Sequence, residues 1–224
     1  MRRDGGGGFG LGEGLMSERV IIADSCVSEG AVWLARAEPR FAQVLPQLTP
    51  LPLRRKPEGF AELLSAIVSQ QVSVASANAI WGRLRAAGMV TPAAVAASNE
   101  DALRALGLSR QKATYALALA EAGIDFDALR AMDSAQVIKT LTAVKGIGVW
   151  TAEIYAMFSL GRADVFAHGD LALQEGARVL FELDARPTEK GMRQLAEAWS
   201  PWRSVAARIL WAYYAQLKAR EGVR

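Results

Sequence analysis

The chain has 224 residues, 51% of them hydrophobic, and carries 26 Lys and Arg against 23 Asp and Glu, a net charge of +3. This apolar content excludes a wholly disordered chain, and the small positive excess permits an anionic partner without requiring one. One cysteine, Cys26, and one histidine, His168, exclude intrachain disulfides and four-cysteine iron–sulfur clusters, and leave Cys- or His-based zinc sites short of ligands.

The N-terminus is rich in glycine, with seven glycines in the first 14 residues. We predict that residues 1–18 form a flexible tail, because glycine loses much backbone entropy on ordering, and that residues 19–224 form the folded domain. No apolar run approaches the ~20 residues of a membrane span, and the tail has no apolar signal-peptide core. We therefore expect a soluble, cytoplasmic protein.

The first helix is predicted from Ser28 to a point before the prolines at 46 and 50, with apolar residues at 31, 34, 35 and 41 on one face. Prolines at 46, 50, 52 and 57 then indicate an extended linker, because proline and the residue before it disfavour helix. The stretch 20–22 fits either a short strand or the lead-in to the helix.

Beyond the linker the pattern is helical throughout. Apolar residues recur at helical spacing over 60–68 and again over 74–84, with Ser69-Gln70-Gln71-Val72-Ser73 between them. Ser200 is a natural N-cap for the last helix, with Pro201 at its first position. No stretch shows strand alternation, so we predict an all-α fold. The remaining helices are predicted over 92–97, 99–106, 112–122, 135–141, 149–160, 171–181, 189–198 and 201–219.

A Gly-x-Gly segment lies between two of these helices. Gly146 and Gly148 end a loop directly before the helix at 149–160. Glycines permit positive φ and close backbone approach, so this hairpin can present several N–H groups outward. Together with the positive end of the second helix they suit an anion such as phosphate. Taken alone, the same pattern fits a plain turn between packed helices.

Asp170 follows about 20 residues later, at the start of another helix. Aspartate is a common N-cap, and capping alone explains its position. A capping position also stabilises an ionised carboxylate, because the first helical N–H groups and the helix dipole favour negative charge there. Both roles stay open on the local sequence. A second carboxylate, Asp164, stands nearby in the same loop.

The hairpin and the downstream aspartate together resemble the helix–hairpin–helix DNA glycosylases, and more narrowly the DNA-3-methyladenine glycosylase II branch. Three further stretches are similar to that branch: 60–73, 103–113 and 199–204. The resemblance covers about residues 30 to 218. It implies an enzyme of base-excision repair that hydrolyses the N-glycosidic bond of alkylated purines, such as 3-methyladenine and 7-methylpurines, in double-stranded DNA, and leaves an abasic site.

The resemblance assigns the catalytic carboxylate to Asp170 rather than Asp164. Relatives that also cleave the strand carry a lysine two residues after the second hairpin glycine, and this chain has Trp150 there. Water is then the expected nucleophile, without lyase activity. An alkylated purine is cationic and leaves readily, so the reaction needs a negative charge near the developing oxocarbenium ion.

The remaining site residues also follow from the resemblance. Gln71 is expected to fill the gap left by a flipped base. Trp150 and Trp202 are expected at the base pocket, where aromatic faces attract a cation. Contacts with DNA are expected from Lys145, Gly146, Ile147, Gly148, Thr151, Gln70 and His168. The other large aromatics are predicted to lie in the core: Trp33, Trp81, Trp199, Trp211, Tyr213 and Tyr214.

The expected architecture has two helical subdomains with a DNA-binding cleft between them. Residues of about 60–165 form the one that carries the hairpin, and 19–59 with 166–224 form the other. We expect a monomer without a required cofactor; a Na⁺ or K⁺ ion bridging hairpin carbonyls to phosphate is compatible with the family.

Two other DNA-directed functions stay open on the sequence, and a third possibility is an unrelated helical interaction protein, which would show no salt-dependent affinity for DNA. One is a glycosylase for another lesion, such as hypoxanthine, ethenoadenine or uracil, because motifs do not report pocket shape. The other is a non-catalytic DNA-binding protein that uses the hairpin for phosphate contact alone. Asp170 argues against the second, because a carboxylate near the DNA backbone repels phosphate.

Overall fold

The computed structural model describes residues 18–220 and residue 222. Within them the regular structure is helical, which confirms the predicted all-α class, and Val20 makes a single antiparallel bridge with Arg162. No helix of this part is both long and apolar enough to cross a bilayer. The helices are α1 Asp24–Ala37, α2 Pro39–Leu48, α3 Phe60–Ser69, α4 Val74–Ala86, α5 Pro92–Ala96, α6 Glu100–Ala105, α7 Arg110–Glu121, α8 Ala128–Ala131, α9 Ser134–Thr142, α10 Val149–Phe158, α11 Leu171–Leu180, α12 Glu189–Ala196 and α13 Arg203–Arg220.

The predicted first helix is in fact two helices. Glu38 ends α1 in an extended conformation, and its side chain accepts a hydrogen bond from Arg40 N to cap α2, whose first residue is Pro39. Pro46 lies inside α2 rather than beyond it, although it has no N–H to donate to the carbonyl of residue 42. The predicted linker therefore begins at residue 49.

The last helix also begins later than predicted. Ser200 does not cap it, because its hydroxyl donates to Asp164 Oδ2 at 2.8 Å. Pro201 lies in the turn that follows a 3-10 helix over Glu197–Trp199, and α13 starts at Arg203. The short helix α8 was not predicted, since four residues carry no periodicity.

The first described residue, Glu18, makes contacts with the folded helices. Glu18, assigned to the tail, accepts a hydrogen bond from Ser134 N at 3.0 Å and pairs with Arg162 at 3.6 Å. The rest of the predicted tail, residues 1–17, lies outside the described residues.

The more extensive helix contacts fall into two groups. One joins α3, α4, α5, α6, α7, α9 and α10, and the other joins α1, α2, α11, α12, α13 and the 3-10 helix. The segment from 49 to 59 connects them without regular secondary structure, and Arg54 within it has a φ of 52°. Arg208 of α13 holds this connection with hydrogen bonds to the carbonyls of Pro52 and Leu53, at 3.2 and 2.8 Å. Desolvation lowers the pKa of this buried guanidinium to about 10.

Candidate functional site

The hairpin between α9 and α10 is a tight turn. Ile147 N donates to Val144 O at 3.1 Å, and the Ile147 side chain is buried. Gly146 has a φ of 97°, and a Cβ placed there would lie 2.3 Å from Cγ of Tyr115. The chain therefore passes too close to this ring for any other residue at 146.

The outer face of the hairpin is open. Gly148 is the N-cap of α10 with φ −85°, and a Cβ added to it would meet nothing within 4 Å. Because glycine has no capping side chain, the first N–H groups of α10 are left for another acceptor, at the positive end of the helix. Lys145 is exposed beside them. This arrangement suits an anionic ligand.

Asp170 caps α11 and also has a second set of partners. Its Oδ1 accepts from the backbone N–H groups of Ala172 and Leu173, at 2.9 and 3.0 Å. Trp211 Nε1 donates to the same oxygen at 3.2 Å, and Trp150 Nε1 donates to Oδ2 at 3.0 Å. The carboxylate group is thus held in place by four donors. Oδ2, with one of them, keeps acceptor capacity for a further group.

The two indoles come from different helix groups. Trp150 stands in the first turn of α10, and Trp211 lies in the middle of α13. Asp170 consequently lies where the two groups of helices meet. The sequence placed Trp211 in the core, because its position on α13 matches the helical spacing of core residues, and no local motif marks it as a partner of Asp170.

A cavity of about 200 Å³ adjoins Trp150 on the side of α3. This volume lies below the about 300 Å³ at the lower end of typical ligand pockets, so it suits a small, flat group. Its wall combines aromatic rings with an ion pair. Trp150 is 47% exposed, and the Glu62 carboxylate pairs with the ammonium of Lys56 at 2.7 Å. The Ser159 hydroxyl, which also lines it, is buried without a hydrogen-bond partner. The other lining residues include Tyr155, Ile154, Thr151, Ser69 and Gln70.

The loop after α3 is tied to the hairpin. Gln70 Nε2 donates to Gly146 O at 3.1 Å, so this side chain joins the two segments. Gln71 is exposed and has a φ of 56°, an uncommon conformation for a residue other than glycine. Gln71 lies beyond the end of α3 at Ser69, with its side chain exposed.

The HhH-GPD superfamily of base excision DNA repair proteins matches residues 64–201, more than half of the chain. The matched segment contains both the hairpin and Asp170. The chain belongs to this family. Trp211, the second indole on the carboxylate, lies ten residues beyond the match.

Several HhH-GPD relatives carry names that state a substrate. "DNA-3-methyladenine glycosylase 1" of Schizosaccharomyces pombe is 33% identical over 165 residues, which cover 70% of this chain and 72% of that protein. "DNA-3-methyladenine glycosylase 2" of Escherichia coli is 30% identical over 168 residues, covering 69% and 57% of the two chains.

Solved HhH-GPD structures have the same fold. A DNA-3-methyladenine glycosidase from Bacillus halodurans superposes with a TM-score of 0.75 at 34% identity, covering 90% of this chain and 94% of that one. The S. pombe 3-methyladenine DNA glycosylase Mag1, in complex with abasic DNA, gives 0.71 at 30% identity, covering 82% and 95%.

Two residues expected at the site of this HhH-GPD protein are buried elsewhere. Trp202 is 2% exposed and packs against Gly30 of α1, with the guanidinium of Arg19 over its ring at 4.6 Å. It is a core residue, because the turn before α13 directs it inward. His168 is also buried, with Nδ1 3.2 Å from Oε1 of Glu153.

The rival carboxylate has a structural role. Asp164 accepts two hydrogen bonds from the guanidinium of Arg203, at 2.8 and 2.7 Å, as well as the one from Ser200. All three join the loop before Asp170 to the start of α13. The pairing raises the pKa of Arg203. Asp164 thus braces the loop that carries Asp170.

Proposed function

We propose that this protein is a monofunctional DNA glycosylase that releases alkylated purines from double-stranded DNA. The observation that carries the proposal is the Asp170 carboxylate, which accepts hydrogen bonds from Trp150 and Trp211, together with a cavity of about 200 Å³ that Trp150 also lines. A DNA-binding protein without catalysis has no use for such a carboxylate, because it repels phosphate. The names of the S. pombe, E. coli and B. halodurans relatives support 3-methyladenine as a substrate.

The carboxylate accounts for the chemical step. An N3- or N7-alkylated purine carries a positive charge and departs as a neutral base, so the glycosidic bond breaks with little acid catalysis. Positive charge then develops on the deoxyribose, and a fixed anion stabilises it. Oδ2 of Asp170 supplies this charge and accepts a proton from the attacking water.

The cavity beside Trp150 is the site for the base. A base inside a duplex must leave the stack before it reaches the carboxylate. An exposed indole face attracts a cationic purine, and Trp150 lines this cavity. Gln71, which its backbone presents outside the helix, fills the space that the base leaves.

The hairpin binds the phosphate groups of the DNA. The N–H groups at the start of α10 and the ammonium of Lys145 face the backbone of the damaged strand. The carbonyl oxygens of Val144 and Gly146 each accept one hydrogen bond, and each keeps a lone pair that suits a monovalent cation. Replacing Na⁺ and K⁺ with tetramethylammonium at equal ionic strength is then expected to weaken DNA binding.

The nucleophile is water, because an indole stands at position 150 in place of an amine. Hairpin, carboxylate and cavity all lie in one chain, so a monomer suffices. Sedimentation of the free protein and of its DNA complex is expected to give one chain in each.

The test is base release from duplex DNA treated with a methylating agent. Chromatography of the released bases is expected to show 3-methyladenine and 7-methylpurines, with strand breaks only after hot alkali. Release of hypoxanthine, ethenoadenine or uracil from matched duplexes, without methylpurines, would move the substrate to another lesion. Breaks before alkali treatment would contradict the monofunctional mechanism.

A further inference from the structure

The C-terminal end of α3 is capped by a buried cation. Lys112, the third residue of α7, is 8% exposed, and its Nζ donates to the backbone carbonyl of Val68 at 2.7 Å. Val68 lies in the last turn of α3, where carbonyls lack donors within the helix and the dipole is negative. The ammonium therefore binds at the root of the loop that carries Gln70 and Gln71.

Packing alone does not explain a lysine at this position. Desolvation lowers the pKa of Lys112, which reports that its charged form is costly here. α3 and α7 pack against each other, and Leu64 of α3 and Ala116 of α7 are both fully buried. Methionine would fill similar space without the desolvation cost. What the lysine adds is a directed donor to one carbonyl.

The same loop has an anchor on its other side. Gln70 binds the hairpin through Gly146 O, as described above. Lys112, Gln70, Gln71 and the hairpin glycines line one open cavity of about 660 Å³. Lys112 of α7 thus holds the end of α3 where the loop begins, and the hairpin holds the loop at Gln70. Gln71 is the next residue along the chain.

We infer that Lys112 is a positioning residue that fixes the direction in which Gln71 enters the duplex. The inference rests on the proposed function, in which Gln71 fills the gap left by the flipped base. Without the bond to Val68 the last turn of α3 loses its cap, and Gln71 is presented over a wider range of positions. We expect a loss of affinity for DNA in which a base has left the stack, whereas the affinity for undamaged duplex stays the same.

The experiment compares Lys112→Met with the wild-type protein on two duplexes. One contains a tetrahydrofuran abasic-site analogue, and the other is the same sequence undamaged. The ratio of the two affinities is expected to fall about tenfold, as for loss of a hydrogen bond from a charged donor. Lys190→Met, a substitution of an exposed lysine on α12, is the control and is expected to leave the ratio unchanged. Equal weakening on both duplexes would mean that Lys112 acts only as a charge.

A double-mutant cycle separates positioning from general destabilisation. If Lys112 acts through Gln71, then Lys112→Met is expected to change the ratio less than about twofold in a Gln71→Ala background. Full additivity would overturn the inference. Should Lys112→Met fail to fold, Lys112→Arg keeps a charged donor, and Lys112→Gln replaces it with a shorter, neutral one. If Lys112→Arg keeps the ratio of the affinities for abasic and undamaged duplex and Lys112→Gln loses it, positioning is supported. Equal ratios in the two variants oppose it.

The two proposals fail in different ways. Absence of base release and of any preference for the abasic duplex in the wild-type protein would remove the proposed function. A wild-type protein that shows both, with an unchanged ratio in Lys112→Met, would overturn the role of Lys112 alone.

Discussion

The two hairpin glycines differ in what an added methyl group would meet, and this difference gives a sharp test. At Gly146, a Cβ would lie 2.3 Å from Cγ and 2.6 Å from Cβ of Tyr115, atoms too near the backbone to swing aside. Overpacking of this kind costs about 1–3 kcal/mol, and the left-handed backbone costs a further ~1–2 kcal/mol. The lower entropy of the unfolded chain with alanine offsets about 0.4–1 kcal/mol.

Gly146→Ala is therefore expected to lower the free energy of unfolding by roughly 1–5 kcal/mol. For a domain of this size that is a fall in Tm of about 2–20 °C, with the middle of the range near 10 °C. Thermal unfolding followed by circular dichroism measures it directly.

Gly148→Ala is the matched control, with the opposite expected result. Its φ of −85° suits alanine, and the added methyl meets no atom of the protein within 4 Å. Tm is expected to stay within about 2 °C of wild type, as for a surface substitution. The methyl does occupy the open space before the N–H groups of α10, so affinity for duplex DNA is expected to fall by about tenfold in fluorescence anisotropy. A stable Gly148→Ala protein with wild-type affinity would refute phosphate binding at this face, and equal Tm losses in both variants would refute the packing argument.

Three further substitutions test the roles of a core residue, of a hydrogen-bond donor to Asp170 and of the carboxylate that holds the loop before Asp170. Trp202→Ala is expected to lower the free energy of unfolding by about 3–5 kcal/mol, the cost of removing a buried aromatic, while base release per folded molecule stays at the wild-type rate. Trp211→Phe keeps an aromatic ring at this position but removes a donor to Asp170, so the single-turnover rate is expected to fall about tenfold with only a small change in Tm; an unaltered rate would contradict its role. Asp164→Asn is expected to lower stability by about 1–3 kcal/mol in urea unfolding, with DNA affinity retained. A loss of activity in Asp164→Asn greater than that in Asp170→Asn would exchange the roles of the two carboxylates.

Much of the fold could be predicted from the local sequence. Helical spacing of apolar residues predicted most of the helices, because each buries one face against its neighbours. It did not separate α1 from α2, where the break depends on the backbone of Glu38 rather than on a change in spacing. It did not find α8 either, which is too short to show a period.

At the site, the sequence was informative where function is tied to a local motif. The hairpin glycines and Asp170 stand at fixed places relative to helix starts, and the structure has the hairpin and the capping aspartate there. Which tryptophan meets the carboxylate depends on how distant helices pack. For that reason Trp211, 41 residues from Asp170, was assigned to the core, and the buried Trp202 was assigned to the pocket.

Replacement of one carboxylate oxygen of Asp170 tests most directly whether Asp170 is the catalytic group. Asp170→Asn keeps the Oδ1 acceptor for Ala172 N and Leu173 N, so the cap of α11 and the fold are expected to persist. It removes the negative charge, and the single-turnover release of 3-methyladenine is expected to fall by about 10²–10³-fold or more. Affinity for abasic duplex is expected to equal or exceed that of wild type, because repulsion of phosphate is relieved. Release within about threefold of wild type by a folded, DNA-binding Asp170→Asn protein would contradict the assignment of the catalytic carboxylate.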